Sequence, residues 1–219
     1  MSLIAPQLIL ILGVIVFMSS VLQHLVKKNR TAISLYALQS GAIAILLTGA
    51  GDFSTIAIIA IVVTAAVKVI LAPYFLARLV RRNQLRFSST TYLSSPETLL
   101  VLALIVALSF SHYFAPLANL SPESPTLVLL SLASFFISLF LLVNKKGALS
   151  QMLGILSVEN SIVAFALFTG LEQSPALELG ITFDILVWVA IATVFISMLY
   201  RQFGSLDVTL MKNLSDTTL

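Results

Sequence analysis

Cysteine is absent from the 219-residue sequence, which excludes disulfides, thiol chemistry and cysteine-ligated iron–sulfur clusters. Histidine is scarce, because only His24 and His112 are present, and their wide separation argues against a haem or metal site. Charged residues make up only 10% of the chain while 59% of it is hydrophobic, whereas soluble domains carry about 25% charged residues. So few charges cannot cover a water-exposed surface, and the sequence therefore predicts an integral membrane protein.

Long apolar runs fill most of the chain, and each is close to the roughly 20 residues that a helix needs to cross a bilayer. The runs lack the alternation of barrel strands, so the predicted fold is all-α: a polytopic membrane protein with seven transmembrane helices in one membrane domain, residues 1–219. The first run is read as a retained span, because its positive charges follow it. No internal repeat is evident. The predicted spans are Leu3–Val26, Ala32–Gly49, Ser54–Leu79, Glu97–Pro116, Pro125–Val143, Ala148–Leu171 and Pro175–Tyr200.

Positive charge is confined to one side of the predicted bundle. Every Lys and Arg except Lys68 follows the first, third, fifth or seventh span, whereas the other loops carry the acids Asp52, Glu123 and Glu172. Membrane orientation explains this pattern better than nucleic-acid binding does, because the chain contains no nucleic-acid motif. The positive-inside rule predicts an outside N-terminus, a cytoplasmic C-terminus and a location in the inner (cytoplasmic) cell membrane.

Lys68 is the one cation inside a predicted span. It lies about 21 Å along the helix from Ser54, which is far for a lysine to reach an interface by snorkelling. Thr64, Ala65 and Ala72 share its helix face, and such small side chains let another helix approach closely. Pro73 follows and is expected to kink the helix. Lys68 is predicted to serve an ion path, and a purely structural ion pair is the alternative.

Glu159 and Asn160 lie side by side in the stretch GILSVENSIV. Glu159 is about 20 Å beyond Lys146 along the helix, and a central carboxylate costs about 2.5–3.5 kcal/mol on insertion. Such a carboxylate is paired, hydrated or protonated, so small rearrangements can move a proton on or off it. Glu159 is therefore predicted to be a protonatable site, with Asn160 adding hydrogen bonds. The alternative is a buried acid with a structural role.

Asp184 and Glu178 lie in the predicted seventh span. Asp184 is about 14 Å past Pro175 along the helix, deep enough to predict a second protonatable site. Glu178 is three residues past the same proline, where the helix dipole favours an acid in the first turn. A structural role is the favoured interpretation for Glu178, and a place in the ion path is the alternative.

Three further polar residues are candidates for the same path. Gln39 is a mid-span amide, which can either link two helices or hold water. His24 and His112 lie near span ends, where amphipathic rings are common, and a proton-carrying role is the alternative for both.

Several segments together carry a resemblance to a known family. They are QMLGILSVENSIVAFAL, PALELGITFDILVW, YRQFGSLDVTLMKNL, LYALQSG and VKVILAP. With them the chain resembles, over nearly its whole length, the hydrogenase-4 component E family, which comprises membrane subunits of group 4 nickel–iron hydrogenase and formate hydrogenlyase-type complexes. Residues 121–219 are also similar to the three-helix K subunit of respiratory complex I and to its small counterpart in multisubunit cation/proton antiporters. Residues 1–120 then form a four-helix part.

The resemblance implies a membrane-arm subunit of a complex I-like, redox-driven ion pump that is not an enzyme by itself. Buried acids on the second and third helices of the K subunit are implicated in proton translocation. Glu159 matches the first of them, and Asp184 matches the second with aspartate in place of glutamate. Lys68 matches the lysine of the family's third span, while Ser161 stands where relatives often have glycine.

The same resemblance implies the partners and cofactors. Antiporter-like and quinone-site-like membrane subunits and lipids are the expected partners, with a peripheral electron-transfer arm contacted indirectly and no nucleic acid. No cofactor is expected in this chain, since the nickel–iron site and the iron–sulfur clusters belong to partner subunits. Two other functions stay open: a non-conducting scaffold of such a complex, and a subunit of a cation/proton antiporter that has no redox partner. The ion is H⁺ or Na⁺.

Overall fold

A computed structural model describes residues 5–50, 54–83, 91–171 and 175–203. Its helices are α1 (Pro6–Leu25), α2 (Asn29–Ala50), α3 (Thr55–Ala65), α4 (Ala72–Arg82), α5 (Ser95–Ser109), α6 (Ala115–Ala118), α7 (Pro125–Asn144), α8 (Ala148–Phe168) and α9 (Pro175–Phe203). A π-helical segment, Ala66–Leu71, joins α3 to α4 without a break. Within the described ranges, six helices are long and apolar enough to cross a membrane, counting α3 to α4 as one. The all-α, polytopic membrane architecture predicted from composition is confirmed at this level.

The fourth predicted span differs from the structure. The sequence predicts it over Glu97–Pro116, but α5 has only 15 residues and is about 22 Å long, less than the roughly 30 Å of a hydrocarbon core. Pro116 has no N–H for the carbonyl of His112, so a helix continuing through it would lose that hydrogen bond. The chain instead turns and begins the short α6 at Ala115.

Local capping sets two other helix ends. Glu97 accepts a hydrogen bond from the Ser94 N–H at 2.7 Å and closes a capping box, so α5 begins before the predicted position. At the other end, α8 stops at Phe168 instead of Leu171 because Gly170 adopts a φ of 72°. Leu171 N–H then donates to the Ala166 carbonyl at 3.0 Å, as in a glycine-terminated helix.

Two helical hairpins form the centre of the bundle. Three residues, 26–28, connect α1 to α2, and three residues, 145–147, connect α7 to α8. The first hairpin packs against the second, with α1 on α7 and α2 on α8, while α3 packs on α9. Lys27, Lys28, Lys145 and Lys146 mark the turns of both hairpins, and this side of the bundle is called the basic end below.

The packing contains an internal repeat that was not evident in the sequence. Side chains at positions i and i+118 touch where helices of α1–α4 meet helices of α7–α9, so an approximate twofold axis relates the two groups of helices. Few positions keep the same residue, which explains why the repeat is hard to see; Lys27 and Lys28 correspond to Lys145 and Lys146. The contacts that show the axis are Gln39–Ser157, Thr64–Thr182 and the two equivalent pairs Ser20–Gln39 and Ser138–Ser157.

Two apolar clusters fill the bundle above and below a polar layer. The cluster towards the basic end joins the start of α2, α4, the start of α8 and α9, and includes Tyr36, Leu76 and Leu156. The cluster towards the opposite end joins the start of α1, the end of α2, the start of α7 and the end of α8, and includes Leu46 and Ala164. The polar layer between them holds most of the predicted site residues.

Gly154 allows the closest approach of α7 and α8. A Cβ atom at Gly154 would lie 3.0 Å from Leu142 Cγ and 3.2 Å from the Leu142 backbone nitrogen. A Cβ atom at Gly41, also in the middle of a helix, would meet nothing within 4 Å. The two glycines therefore differ in packing although both lie in helices.

Gly154→Leu is expected to destabilise the protein by about 1–3 kcal/mol, because the added side chain must push α8 away from the α7 backbone. Gly41→Leu is the matched control and is expected to be neutral or stabilising, since leucine has the better helix propensity by about 1 kcal/mol. Thermal unfolding of both variants in detergent measures the difference. Equal melting temperatures would contradict the close contact.

Candidate functional site

The π-helical segment places Lys68 in the middle of the membrane span. Lys68 lies about 20 Å from Thr55 and about 21 Å from Arg82 along the helix axis. The segment ends where the Ala72 N–H bonds to the Val67 carbonyl, one residue before Pro73. Because Pro73 cannot donate to Val69, widening the preceding turn relieves the proline without breaking the helix. The disturbance predicted at Pro73 is thus a π segment around the lysine.

Lys68 and Glu159 form an ion pair inside the bundle. Lys68 Nζ donates to Glu159 Oε1 and to Asn160 Oδ1 at 3.3 Å. The Lys68 side chain is 3% exposed and that of Glu159 is 20% exposed. The lysine therefore depends on these two partners for its charge, whereas the carboxylate also reaches the surface of this chain.

Asn160 passes the interaction on to α2. Its Nδ2 donates to Ser40 Oγ at 2.8 Å and lies 3.5 Å from Gln39 Oε1. Asn160 and Gln39 are both fully buried, so these bonds replace water. Asn160 thus has its carbonyl oxygen on the cation and its amide nitrogen on the neighbouring helix, which fixes its orientation.

Gln39 lies at the centre of a chain of side-chain hydrogen bonds across four helices. Its Nε2 donates to Ser20 Oγ at 2.9 Å, and its Oε1 accepts from Ser157 Oγ at 3.0 Å. Ser157 in turn bonds to Ser138 at 2.9 Å, so the chain runs from α1 through α2 and α8 to α7. Of the two roles predicted for Gln39, the structure shows the helix-linking one.

The arrangement can exchange a proton at a single group. Lys68 occupies Glu159 Oε1, while Glu159 Oε2 is buried and has no hydrogen-bond partner among the described residues. That oxygen is a free acceptor beside a fixed cation, in a layer otherwise built of hydroxyl and amide groups. Within the described residues, no three His, Asp or Glu side chains converge to hold a metal ion.

The structure does not bring every predicted residue to this layer. His112 lies exposed in the turn after α5, with its ring centroid 3.9 Å from that of Tyr113. His24 is buried about one helical turn beyond Ser20, towards the basic end, where its Nε2 bonds to the Ile137 carbonyl at 2.9 Å. Asp184 and Glu178 belong to α9, and their side chains lie outside the described part of the structure.

Sequence reasoning missed the serines that complete the layer. Ser157 and Ser161 flank Glu159 on α8, and both are fully buried. A serine two residues before and two residues after a mid-span acid was the available signal. Ser20, Ser40 and Ser138 gave no comparable signal, because their role depends on which helices are neighbours.

Lys68 and Glu159 are expected to be energetically coupled. Lys68→Met or Glu159→Gln alone is expected to cost about 3 kcal/mol, because each leaves one partner of a buried pair uncompensated. The double variant is expected to cost clearly less than the sum. Unfolding free energies in mixed micelles measure the cycle. Lys28→Met and Glu123→Gln, both exposed, form the control pair and should be additive; additivity of the first pair would contradict the ion pair.

Comparison with known proteins finds a similarity that covers most of the chain. No family model matches the chain, and no solved structure matches it. The uncharacterized protein Rv0085 of Mycobacterium tuberculosis is 28% identical over 190 residues, which cover 85% of this chain and 86% of that protein. The similarity extends over most of both chains and is not limited to a single motif.

Proposed function

We propose that the chain is a membrane-arm subunit of a complex I-like, redox-driven ion-translocating complex of the hydrogenase type, and that it has no catalytic activity by itself. Its part in the ion path is the Lys68–Glu159 pair, with Asn160 and Gln39 as the polar neighbours and Asp184 as a second acid. Nickel–iron and iron–sulfur groups belong to partner subunits in this proposal. The family resemblance of the sequence supplies the type of complex.

The observation that carries the proposal is the position of the ion pair. Lys68 and Glu159 meet in the middle of apolar helices and at the interface between the two repeated groups of helices. Ionisable residues inside a membrane are rare and mark ion or proton pathways. Transporter sites near the bilayer midplane likewise form between structural repeats. The Lys68–Glu159 pair combines both features.

The proposed orientation has the basic end in the cytoplasm. Lys27, Lys28, Lys145 and Lys146 lie at that end, and the excess of Lys and Arg in cytoplasmic loops then puts the N-terminus outside. For the C-terminus to be cytoplasmic, the segment from α5 to α6 must return the chain across the membrane as a seventh span. The proposed location is the inner (cytoplasmic) cell membrane.

The proposed coupling is electrostatic. Lys68 neutralises Glu159 as long as the two are in contact, so the carboxylate is held unprotonated. A charge change in a neighbouring membrane subunit that draws Lys68 away would leave Glu159 to take up a proton. Restoring the contact would release that proton, which links one redox event to one proton transfer.

Glu159→Gln in the intact, purified complex tests the conduction role. Ion uptake into vesicles per redox turnover is expected to fall by at least about tenfold, because an amide cannot carry the proton. A pH-sensitive dye and a sodium tracer, used in parallel, show which ion is lost. Glu123→Gln, the same chemical change at an exposed loop position, is the control and should leave uptake unchanged.

The outcomes separate the competing functions. Wild-type uptake and redox turnover in Glu159→Gln would contradict conduction and leave a scaffold role. Co-purification with antiporter subunits alone, without a nickel-containing subunit, would contradict the redox-driven complex in favour of an antiporter. Lys68→Met extends the test, since unchanged assembly and unchanged coupled turnover in that variant would remove the lysine from the path.

A further inference from the structure

Three neighbouring residues on the basic side of the polar layer carry buried polar atoms without partners. Gln23 is 2% exposed, His24 4% and Tyr36 0%. Both amide atoms of Gln23, Nδ1 of His24 and the hydroxyl of Tyr36 have no hydrogen-bond partner among the described residues. Buried polar groups are nearly always satisfied by protein or by bound water. An amide with neither of its atoms satisfied by protein points to bound water.

The three residues lie at one level of the bundle. The Ser20–Gln39 hydrogen bond fixes the register of the antiparallel α1–α2 hairpin. Gln23 is three residues past Ser20 towards the basic end, and Tyr36 is three residues before Gln39 in the same direction. Both are therefore about 4.5 Å from the Ser20–Gln39 contact on its basic side. His24 follows Gln23 directly and faces α7.

The other half of the repeat lacks this polar level. At the equivalent positions, 118 residues further on, Leu141 replaces Gln23 and Leu142 replaces His24. Leu141 is as buried as Gln23, at 2% exposure. The pseudo-symmetric bundle thus has polar groups on one side of its axis and leucines on the other, at the same depth from the basic end.

We infer that a cluster of bound water between Gln23, His24 and Tyr36 forms the access path by which protons pass between the basic end and Glu159. The inference rests on the proposed function of Glu159 as a protonatable site. Water suits the site because its donors and acceptors can satisfy an amide, a ring nitrogen and a phenol together. It also carries protons by exchange between neighbouring molecules, without a net movement of the oxygen atoms.

The path continues from this level to the carboxylate. Tyr36 lies one helical turn before Ser40, which accepts from Asn160 at 2.8 Å, next to Glu159. The unpartnered Glu159 Oε2 is the acceptor at the inner end of the path. At the outer end Lys145 is 4% exposed and lies within electrostatic reach of His24. Burial lowers the pKa of Lys145, and its positive charge there disfavours metal cations.

Cysteine accessibility tests the water cluster directly, because the chain contains no native cysteine. Gln23→Cys in the full complex in membranes is expected to react with a small, membrane-impermeant cationic thiosulfonate from the basic side. Leu141→Cys is the matched control, equal in burial and in position within the repeat. We expect Gln23→Cys to react at least about tenfold faster, since only a hydrated thiol ionises and reacts. Equal rates would overturn the water cluster, whatever the transport activity.

Tyr36→Phe tests the use of that water by protons. The variant removes an unpartnered buried hydroxyl, so its thermal stability is expected to be equal to or above that of the wild type. Proton uptake per redox turnover is expected to fall severalfold. Tyr74→Phe, at a position 57% exposed, is the control and should be unchanged in both measurements.

The two proposals fail in different ways. Loss of uptake in Glu159→Gln with wild-type uptake in Tyr36→Phe overturns the access path and leaves the proposed function standing. Wild-type uptake in both variants overturns the proposed function, and with it any proton path through this pocket. Reduced uptake in both, together with selective labelling of Gln23→Cys, supports the path.

Discussion

The structure depends on one electrostatic constraint, the burial of the Lys68 ammonium in an apolar bundle. A single charge at this depth would be prohibitive, so the chain supplies the Glu159 carboxylate and the Asn160 carbonyl oxygen as partners. Asn160 then needs partners for its own amide nitrogen, which Ser40 and Gln39 provide. Each added polar group requires the next, and the result is a complete polar layer between two apolar clusters. The π segment belongs to the same constraint, because it lies around the lysine and accommodates Pro73.

The internal repeat explains where this layer lies and why it is uneven. On the pseudo-twofold axis Gln39 touches its own equivalent, Ser157, so polar contacts cross the interface between the two groups of helices. The charged residues break the symmetry: Glu159 corresponds to Gly41, and Lys68 corresponds to Leu186. Each group of helices therefore contributes one charge, and neither has both. The ion pair can form only when the two groups pack together, which couples the charge state of the site to the packing of the bundle.

Hydropathy and loop charge predicted the membrane architecture well, because both follow from single-residue transfer energies that act locally. The same reasoning identified Lys68, Glu159, Asn160 and Gln39, since a polar residue within an apolar run stands out without any knowledge of its neighbours. The contact between Lys68 and Glu159 could not be predicted, because the order of helices in a bundle is set by packing between distant segments. The serines, the π segment and the repeat depend on the same packing. The fourth span was wrong in length because hydropathy does not register the hydrogen bond that Pro116 cannot make.

The unequal exposure of the two charges bears on why this chain would act inside a larger assembly. The Lys68 side chain is 3% exposed, but that of Glu159 is 20% exposed, so part of the carboxylate faces outward from the bundle at mid-membrane depth. Lipid cannot solvate that surface, and an acid at this depth requires water or a protein neighbour. A partner subunit that covers this face would remove the cost of the exposed carboxylate. The same partner would also be close enough to alter the Lys68–Glu159 contact through its own charges. Stability and coupling therefore both favour an occupied surface at Glu159, as expected for a subunit and not for a chain that works alone.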